Sequence, residues 1–459
     1  MNNVLGGAKV YVAAHDLLRC TKESSVSLSD RYYAVSARVV PANRETTLAI
    51  RPLFGHSRFA PDRTYRAACY PTEEFAQRNG WTPGTRIPVV PEEGVIRLTC
   101  FFEGEQEHVI VIEDATEEQP KEAAEFRVYS LEDDLYARRP YKGDLHIHSY
   151  RSDGRESPAY VAGACRRMGL DFMAVTDHSL YTPSLEAQRA FAYVPHDLKI
   201  FPGEEVHPPD NPVHMINFGG SYSITGLFQR DEQTYREEVA RIEASASPFP
   251  AGVDSYQYAS CVWCFDQIRA AGGLGIFCHP YWFTQHRYTP SGALTSYLFE
   301  TQPYDAFELI GGFHRFEIDS NTLQVARYHQ ERARGRTIPI VGVSDAHGCE
   351  RGELFGWYYT IVFAPSLELG DIIQAIKTGY SVAVEALPGE TARAYGPFRL
   401  VKYALYCMRE LFPHHDALCA EEGRLMLACA GGEADTADRL AHLSGQTRAW
   451  RDRCWGKGA

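Results

Sequence analysis

One short stretch of the chain places three potential metal ligands close together. Residues 143–154 read GDLHIHSYRSDG and contain His146, His148 and Asp153. In an extended strand, side chains two positions apart lie on the same face, so both imidazoles point to one side. Imidazole and carboxylate groups are common ligands of divalent metal ions. The spacing therefore predicts a metal site, and Gly154 lets the loop turn the aspartate back toward it.

Five further strand ends carry the same residue types. They are His178 after Asp177, Glu204 with Glu205, His214, His279, and Asp345 with His347. A lone histidine at a strand end is more often a hydrogen-bonded rim residue than a ligand. Six strand ends that each bring His, Asp or Glu to one rim instead favour a shared site, because catalytic groups gather at that rim of a barrel. The period of two also means that only one of Glu204 and Glu205 faces inward.

Apolar runs that alternate with amphipathic segments would position these side chains. Helical segments lie at 157–169 and 366–379; in the first, Ser157 can cap the helix and Pro158 suits its first turn. Strand and helix repeated in this way predict a mostly parallel sheet with enough repeats to close into a barrel. The candidate strands are 144–148, 172–176, 199–203, 213–219, 274–279, 306–311, 338–345 and 381–385.

The predicted fold class is multidomain, because the sequence pattern before the barrel differs from the pattern after it. Residues 1–140 show short apolar alternations between Pro, Gly and charged turns, which is typical of an all-β sandwich. Residues 141–385 form the barrel, and residues 386–459 predict a helical extension that packs on the barrel or on another subunit of a homo-oligomer. Within that extension, His414 and His415 are expected in a loop as surface residues.

Composition limits the classes of partner. The chain has 46 Lys and Arg against 59 Asp and Glu, a formal charge of -13, which disfavours nucleic-acid binding through phosphate contacts. No apolar run approaches the ~18 residues of a membrane span, and the first residues lack a signal-peptide pattern. The twelve cysteines, several in apolar runs, fit reduced buried thiols. We therefore expect a cytoplasmic protein with no membrane or nucleic-acid partner.

The ordered motifs resemble those of a known superfamily. HIHSYRSDG, VTDHS, PGEEVH, VHMINFGG, CHPYW and GVSDAHG, spread over residues 141–385, are similar to the motif series of the PHP (polymerase and histidinol phosphatase) superfamily of metal-dependent hydrolases. The preceding β domain and the motif YKGDLHIHS at the start of the barrel most resemble its stand-alone, carbaryl-hydrolase-like branch. The resemblance implies a distorted seven-stranded, TIM-like β/α barrel, written (β/α)7, that holds two to three divalent ions, with Mn, Fe or Zn expected.

The resemblance also implies a role for each ligand. It favours Glu205 over Glu204 as the inward-facing residue, bridging two ions, and leaves Asp177 to orient an imidazole. The catalytic role is assigned to Glu205, Asp345 and His178. The implied ligand sets are His146, His148, Glu205 and Asp345 for the first ion, Glu205, His214 and His279 for the second, and Asp153, His178 and His347 for the third.

Such a site would suit an anionic substrate. Three divalent ions, less the charges of three ligand carboxylates and a bridging hydroxide, leave a net charge of about +2 despite the acidic exterior. Ions that share a water lower its pKa toward neutrality, so the expected nucleophile is hydroxide rather than a side chain. The residues expected to contact the substrate are His207, His286 and Arg315, because Arg offers a bidentate fork and His a proton near neutral pH.

Three functions stay open on the sequence. The leading one is a phosphoesterase that cleaves a small organic phosphomonoester or a cyclic phosphodiester. The same metal cluster could instead cleave a carboxyl ester, a carbamate or an amide, and an aromatic pocket with no free arginine near the ions would favour that alternative. A carbohydrate- or partner-binding module is the third, and the strands of the first 140 residues offer weak candidates for its surface.

Overall fold

Two sheets built from residues 28–131 share one apolar core. The computed structural model describes residues 28–73, 84–116, 118–119, 121–314, 317–350 and 354–457. Alternate side chains are buried along strands such as Ile96–Phe102, and buried side chains of both sheets belong to one apolar cluster. A short helix, α1 (Leu28–Tyr32), precedes them. The strands are β1 (Tyr33–Val35), β3 (Arg44–Pro52) and β6 (Ile96–Phe102) in one sheet, and β2 (Val39–Pro41), β8 (Lys121–Leu131), β7 (Glu107–Asp114), β4 (Tyr65–Pro71) and β5 (Ile87–Val89) in the other.

Two further sheets and a hairpin follow helix α2 (Asp133–Tyr136). The six-stranded sheet has the order β11 (Lys199–Phe201), β10 (Phe172–Ala174), β9 (Arg139–Asp144), β19 (Tyr358–Ala364), β20 (Ser381–Glu385) and β21 (Arg393–Tyr395). The five-stranded sheet has the order β12 (Gly203–Val206), β13 (Met215–Phe218), β14 (Leu274–Phe277), β17 (Ala306–Gly311) and β18 (Ile340–Val343), and the hairpin pairs β15 (Trp282–Thr284) with β16 (Arg287–Thr289).

Two isolated β-bridges, formed by backbone hydrogen bonds, join these two sheets into a ring. One pairs Ile147, just after β9, with Ala346, just after β18. The other pairs His178, just after β10, with Glu205 on β12. The ring therefore runs β9, β10, β12, β13, β14, β17, β18 and back to β9. Because both bridges involve the predicted ligands or their neighbours, the closure of the ring and the position of the site are set by the same residues.

The prediction of a mostly parallel sheet needs two corrections. β13 runs antiparallel to both of its neighbours, β12 and β14. The connection 207–214 between β12 and β13 is too short for a parallel crossover, which needs about a dozen residues, so the chain turns back as a hairpin. β19 was not predicted at all, and it pairs antiparallel with both β9 and β20.

Helices between the strands carry the predicted caps. The prediction of a helix at 157–169 is confirmed by Pro158–Arg167, where the Ser157 side chain accepts a hydrogen bond from the backbone N–H of Tyr160. The helix predicted at 366–379 is confirmed by Leu369–Lys377. The helices of this region are α3 (Pro158–Arg167), α4 (Thr182–Ala190), α5 (Thr225–Arg230), α6 (Glu232–Ala246), α7 (Ser255–Ala270), α8 (Gly292–Thr301), α9 (Ile318–Ala333) and α10 (Leu369–Lys377).

The C-terminal segment is helical, as predicted, apart from β21 at its start. A side chain at Gly423 would collide with the backbone of Arg167, so α12 packs closely on α3 of the ring. The apolar face of α12 is therefore packed against another part of the same chain. None of the described helices is long and apolar enough to cross a membrane. The helices are α11 (Phe398–Tyr406), α12 (Phe412–Ala430), α13 (Thr436–Leu443) and α14 (Gln446–Cys454), with a π-helical turn at Cys407–Leu411.

The prediction for His415 was wrong. The residue lies in α12 and is buried, with its Nε2 2.9 Å from Oδ1 of Asp171. Pro413 occupies the first turn of the helix, where proline is tolerated, rather than marking a loop. Helical periodicity then turns His415, Cys419 and Glu422 to the same buried face. His414 also lies in this helix rather than in the predicted loop, but it is exposed, as predicted.

Candidate metal centre

The two histidines of the first motif present their nitrogens to one point. Both imidazoles are buried, and their Nε2 atoms lie 3.1 Å apart. The Oδ1 atom of Asp345 lies 2.9 Å from Nε2 of His148 and 3.2 Å from Nε2 of His146. Asp345 has a φ of +51°, a left-handed conformation that a non-glycine residue adopts at a cost of about 1–3 kcal/mol and that is typical of functional sites.

Glu205 lies at the centre of the histidines. Its Oε2 atom is 2.5 Å from Nδ1 of His178, and its Oε1 atom is 2.8 Å from Nδ1 of His214. Both carboxylate oxygens are buried, yet neither makes a hydrogen bond of normal geometry to any described residue. Four more imidazole nitrogens lie 3.4 to 3.5 Å from these oxygens, those of His146, His148, His207 and His279.

The neighbouring carboxylate points away from this cluster. Glu204 accepts hydrogen bonds from the Ser223 hydroxyl at 2.8 Å, the Ile224 backbone N–H at 2.5 Å and the Asn217 amide at 3.2 Å. The register of β12, set by the bridge from His178 to Glu205, thus turns Glu205 inward. Glu204 has ordinary hydrogen-bond partners, whereas Glu205 does not.

Asp153, His178 and His347 form the outer side of the cluster. The Oδ2 atom of Asp153 lies 3.4 Å from Nε2 of His178 and 3.3 Å from Nε2 of His347. The His148 ring lies between those of His178 and His347, with ring centroids 4.3 Å from each. Asp153 is half-exposed, so this side opens to the cavity.

All nine predicted ligands therefore converge. Within each of three groups, one potential ligand atom per residue lies within 4.8 Å of the others. Compared with the implied sets, the first group lacks Glu205, the second has His146 in place of His214, and the third also includes His148. His214 lies beside the cluster, with its Nδ1 2.8 Å from Oε1 of Glu205. The three groups are His146, His148 and Asp345; His146, Glu205 and His279; and His148, Asp153, His178 and His347.

The electrostatics of the cluster suit cation binding. Burial would raise the pKa of the Glu205 carboxyl, but His214 and His146 outweigh it and hold that pKa well below its usual range. Burial lowers the pKa of the His214 imidazole to about 4, which favours the neutral form that binds metal. Buried polar atoms without partners are costly, and in the described part of the chain Glu205 Oε1 and Oε2, His148 Nδ1 and His214 Nδ1 are such atoms. Divalent cations among them would satisfy these atoms, so the residues fit the implied metal.

Asp177 has a different role from the one expected. Its Oδ1 atom accepts hydrogen bonds from the Ser149 backbone N–H at 2.7 Å and the Ser152 hydroxyl at 2.6 Å, and its Oδ2 atom accepts one from the Ser149 hydroxyl at 2.5 Å. It therefore holds the loop between His148 and Asp153 rather than an imidazole. The two serines were missed, although the sequence HSYRSDG places them between the ligands.

The three predicted substrate contacts lie in different places. His207 lies against the ligands, with its Nε2 3.0 Å from Nδ1 of His178. His286 is exposed at the turn of the β15–β16 hairpin and does not line the cavity beside the ligands. Arg315 falls outside the described residues. The substrate roles of all three stay predictions.

The cavity over the ligands is partly aromatic. Its volume is about 320 Å³, and besides the ligands it is lined by Trp282, Gly312, Phe313, His314, Glu317 and Leu354. No lysine or arginine is among the described lining residues. Apart from the predicted ligands, the described lining thus offers apolar contacts, one carboxylate and one imidazole. Positive charge in this part of the cavity would have to come from histidine or from bound cations.

The sequence is similar to one curated protein over a short stretch. No family model matches the chain. Over 57 residues the chain is 46% identical to the DNA polymerase/3'-5' exonuclease PolX of Bacillus subtilis (strain 168). That stretch is 12% of this chain and 10% of the other protein, so the match spans about a tenth of the length of the curated relative.

Solved structures give partial matches. A two-domain protein from Bacteroides vulgatus ATCC 8482, described as containing a predicted PHP-like metal-dependent phosphoesterase, is 18% identical, with a TM-score of 0.36 over 54% of this chain and 65% of that one. An amidohydrolase from Chromobacterium violaceum, solved with bound sulfate and no metal, is 19% identical, with a TM-score of 0.29 over 45% of this chain and 87% of that one. The chain is thus similar, over part of its length, to proteins described as a PHP-like metal-dependent phosphoesterase and an amidohydrolase.

Proposed function

We propose that this protein is a metal-dependent hydrolase of the PHP superfamily that cleaves a small organic phosphomonoester or a cyclic phosphodiester. One observation carries the proposal. Glu205 is a buried carboxylate whose two oxygens face different histidines and make no normal hydrogen bond to a described residue. A carboxylate that bridges cations accounts for this arrangement, whereas a structural carboxylate such as Glu204 is hydrogen-bonded.

The chain's own residues would prepare the site for hydrolysis. Bound divalent ions supply Lewis acidity, which lowers the pKa of water toward neutrality and offsets the charge that develops on a phosphoryl group. His146, His148, Glu205 and Asp345 would hold one ion, Glu205, His214 and His279 a second, and Asp153, His178 and His347 a third. Asp177, through Ser149 and Ser152, fixes the loop that carries Asp153, so the outer ligands are held in place before substrate enters.

A phosphate ester is the favoured substrate because of charge. The ligand carboxylates offset part of the charge of two or three divalent ions, and the remainder attracts a phosphate dianion. The partly open cavity of about 320 Å³ suits a small molecule. The overall charge of -13 argues against nucleic acid as the substrate, and the match to the polymerase/exonuclease covers too little of either protein to argue for it.

One observation favours a second candidate, the hydrolysis of a carboxyl ester, carbamate or amide. Trp282, Phe313 and Leu354 line the cavity, and the described lining residues include no arginine or lysine to hold a phosphate. Such a lining suits an aromatic or apolar acyl or leaving group. This candidate fits the carbaryl-hydrolase-like branch, which we propose as the finer placement.

Further assignments extend the proposal. We propose a distorted (β/α)7 barrel preceded by a β-sandwich, with Mn, Fe or Zn as the bound ions. We also propose a cytoplasmic location, since the described cysteines are free thiols and nearly all buried. Association into a homo-oligomer through the C-terminal helices stays a prediction, with less support because α12 packs on α3.

A hydrolysis screen with metal analysis on the same sample tests the function. We expect two to three equivalents of Mn, Fe or Zn and turnover of p-nitrophenyl phosphate or a bis-ester analogue, because the cluster has donors for that number of ions. Chelation should abolish turnover, and adding back the metal should restore it. Faster turnover of aryl carboxyl esters or carbamates would instead support the second candidate. Full activity of chelator-stripped protein would rule out both.

A further inference from the structure

Glu308 is a buried carboxylate beside the predicted ligands, and it lies outside the sequence motifs. It lies within β17, in the run AFELIG, and its side chain has no solvent exposure. Its Oε2 atom is 3.3 Å from Nδ1 of His146. Within the described part of the chain, His146 is its one ion-pair partner. A buried carboxylate with a single imidazole partner is costly unless further positive charge lies nearby.

The two nitrogens of His146 face different groups. Nε2 points into the cluster, 3.2 Å from Oδ1 of Asp345 and 3.5 Å from Oε2 of Glu205. Nδ1 points the other way, to Glu308. A neutral imidazole has one N–H and one lone pair, and a metal binds through the lone pair. An acceptor at Nδ1 therefore determines that the Nε2 lone pair faces the cluster.

The second oxygen of Glu308 also borders the centre. Oε1 is buried and has no hydrogen-bond partner among the described residues. A Cβ placed on Gly312 would lie 3.1 Å from this oxygen, 3.4 Å from Oδ2 of Asp345 and 3.5 Å from Cβ of His279. Gly312 has no side chain, which leaves a space open at this point. Oε1 of Glu308 borders that space together with two predicted ligands, Asp345 and His279.

We propose that Glu308 is a positioning residue of the metal centre, which accepts a hydrogen bond from Nδ1–H of His146 and so presents Nε2 to the first ion. The inference rests on the proposed function, because it requires that His146 is a ligand. Carboxylates that orient ligand histidines in this way change metal affinity by about 10- to 100-fold when removed.

The test is metal affinity of the full-length protein, measured with zinc alone by competition against a chelator. We expect Glu308→Ala to bind at least one equivalent of zinc, the one that His146 would hold, about 10- to 100-fold less tightly than the unmodified protein. Glu308→Gln should lose less, because its amide oxygen still accepts the Nδ1–H bond. Glu331→Gln is the matched control. Glu331 is a buried carboxylate on α9 that pairs with Arg334 and contacts no predicted ligand, so its loss should lower stability without changing zinc affinity.

A second measurement needs no variant to fold. In zinc-loaded protein labelled with ¹⁵N-histidine, the His146 ring should show a protonated Nδ1 and a zinc-bound Nε2. A zinc-bound Nδ1, unchanged affinity in Glu308→Ala, or equal losses in Glu308→Ala and Glu308→Gln would each overturn the inference. These failures are distinct from failure of the proposed function, in which the unmodified protein itself would bind no zinc or manganese.

Discussion

Glu205→Gln is expected to lower kcat/KM for the best substrate of the screen by about a thousandfold or more and to remove at least one equivalent of metal. The glutamine has nearly the same shape but no charge, and an amide cannot bridge two cations. The effect is large because Glu205 is the carboxylate that faces six histidines at once. Steady-state kinetics and metal analysis on the same preparation measure both quantities.

Glu204→Gln is the matched control for this substitution. The residue is adjacent and equally buried, but it faces Ser223, Ile224 and Asn217 rather than the histidines. Burial raises the pKa of the Glu204 carboxyl, and the carbonyl oxygen of a glutamine there could still accept hydrogen bonds from these donors. We expect this variant to keep its full metal content. Equal losses of metal in the two variants would contradict the assignment of Glu205 as the bridging ligand.

Asp171→Ala is expected to lower the free energy of unfolding by about 3–5 kcal/mol, the usual cost of removing one partner from a buried ion pair. Its Oδ1 atom lies 2.8 Å from Nη1 of Arg451 and 2.9 Å from Nε2 of His415. Burial would raise the pKa of Asp171, but these two partners hold it well below its ordinary value, so the carboxylate is charged at neutral pH. Its removal takes the carboxylate away from Arg451, which is largely buried, and from the buried His415, between the C-terminal helices and the ring.

Urea denaturation followed by tryptophan fluorescence measures this loss, since Trp450 and Trp455 lie at the C-terminal helices. Arg236→Ala is the comparison. Its ion pairs with Asp210 and Glu232 are solvent-exposed, so we expect a cost of at most about 1 kcal/mol. If Asp171→Ala cost no more than Arg236→Ala, the buried network would not anchor the C-terminal helices.

The cluster could be predicted from the sequence because most of its members follow or end a short apolar strand, although His214 instead precedes β13. The residue type and the two-residue period are local properties, and they indicated that His146 and His148 share a face. The choice between Glu204 and Glu205 is not local. It depends on the register of β12 against its neighbours, which the bridge from His178 determines.

The residues that sequence analysis missed depend on contacts between distant segments. Glu308 is a single acidic residue in an apolar strand, and its partner His146 lies 162 positions away. His415 follows a proline that suggests a loop, and its burial becomes apparent only once α12 is placed on α3. The reversed direction of β13, in contrast, follows from the short connection 207–214, a length that is visible in the sequence.

The most direct test of the metal centre is an anomalous difference map from crystals grown with manganese or zinc. We expect two or three peaks among the nine ligands, with each ion about 2.0–2.2 Å from histidine nitrogens and carboxylate oxygens. At least one peak should lie beside the Glu205 carboxylate, near the histidines that face its two oxygens. A map without peaks there, with the imidazoles hydrogen-bonded directly to Glu205 and Asp345, would contradict the account.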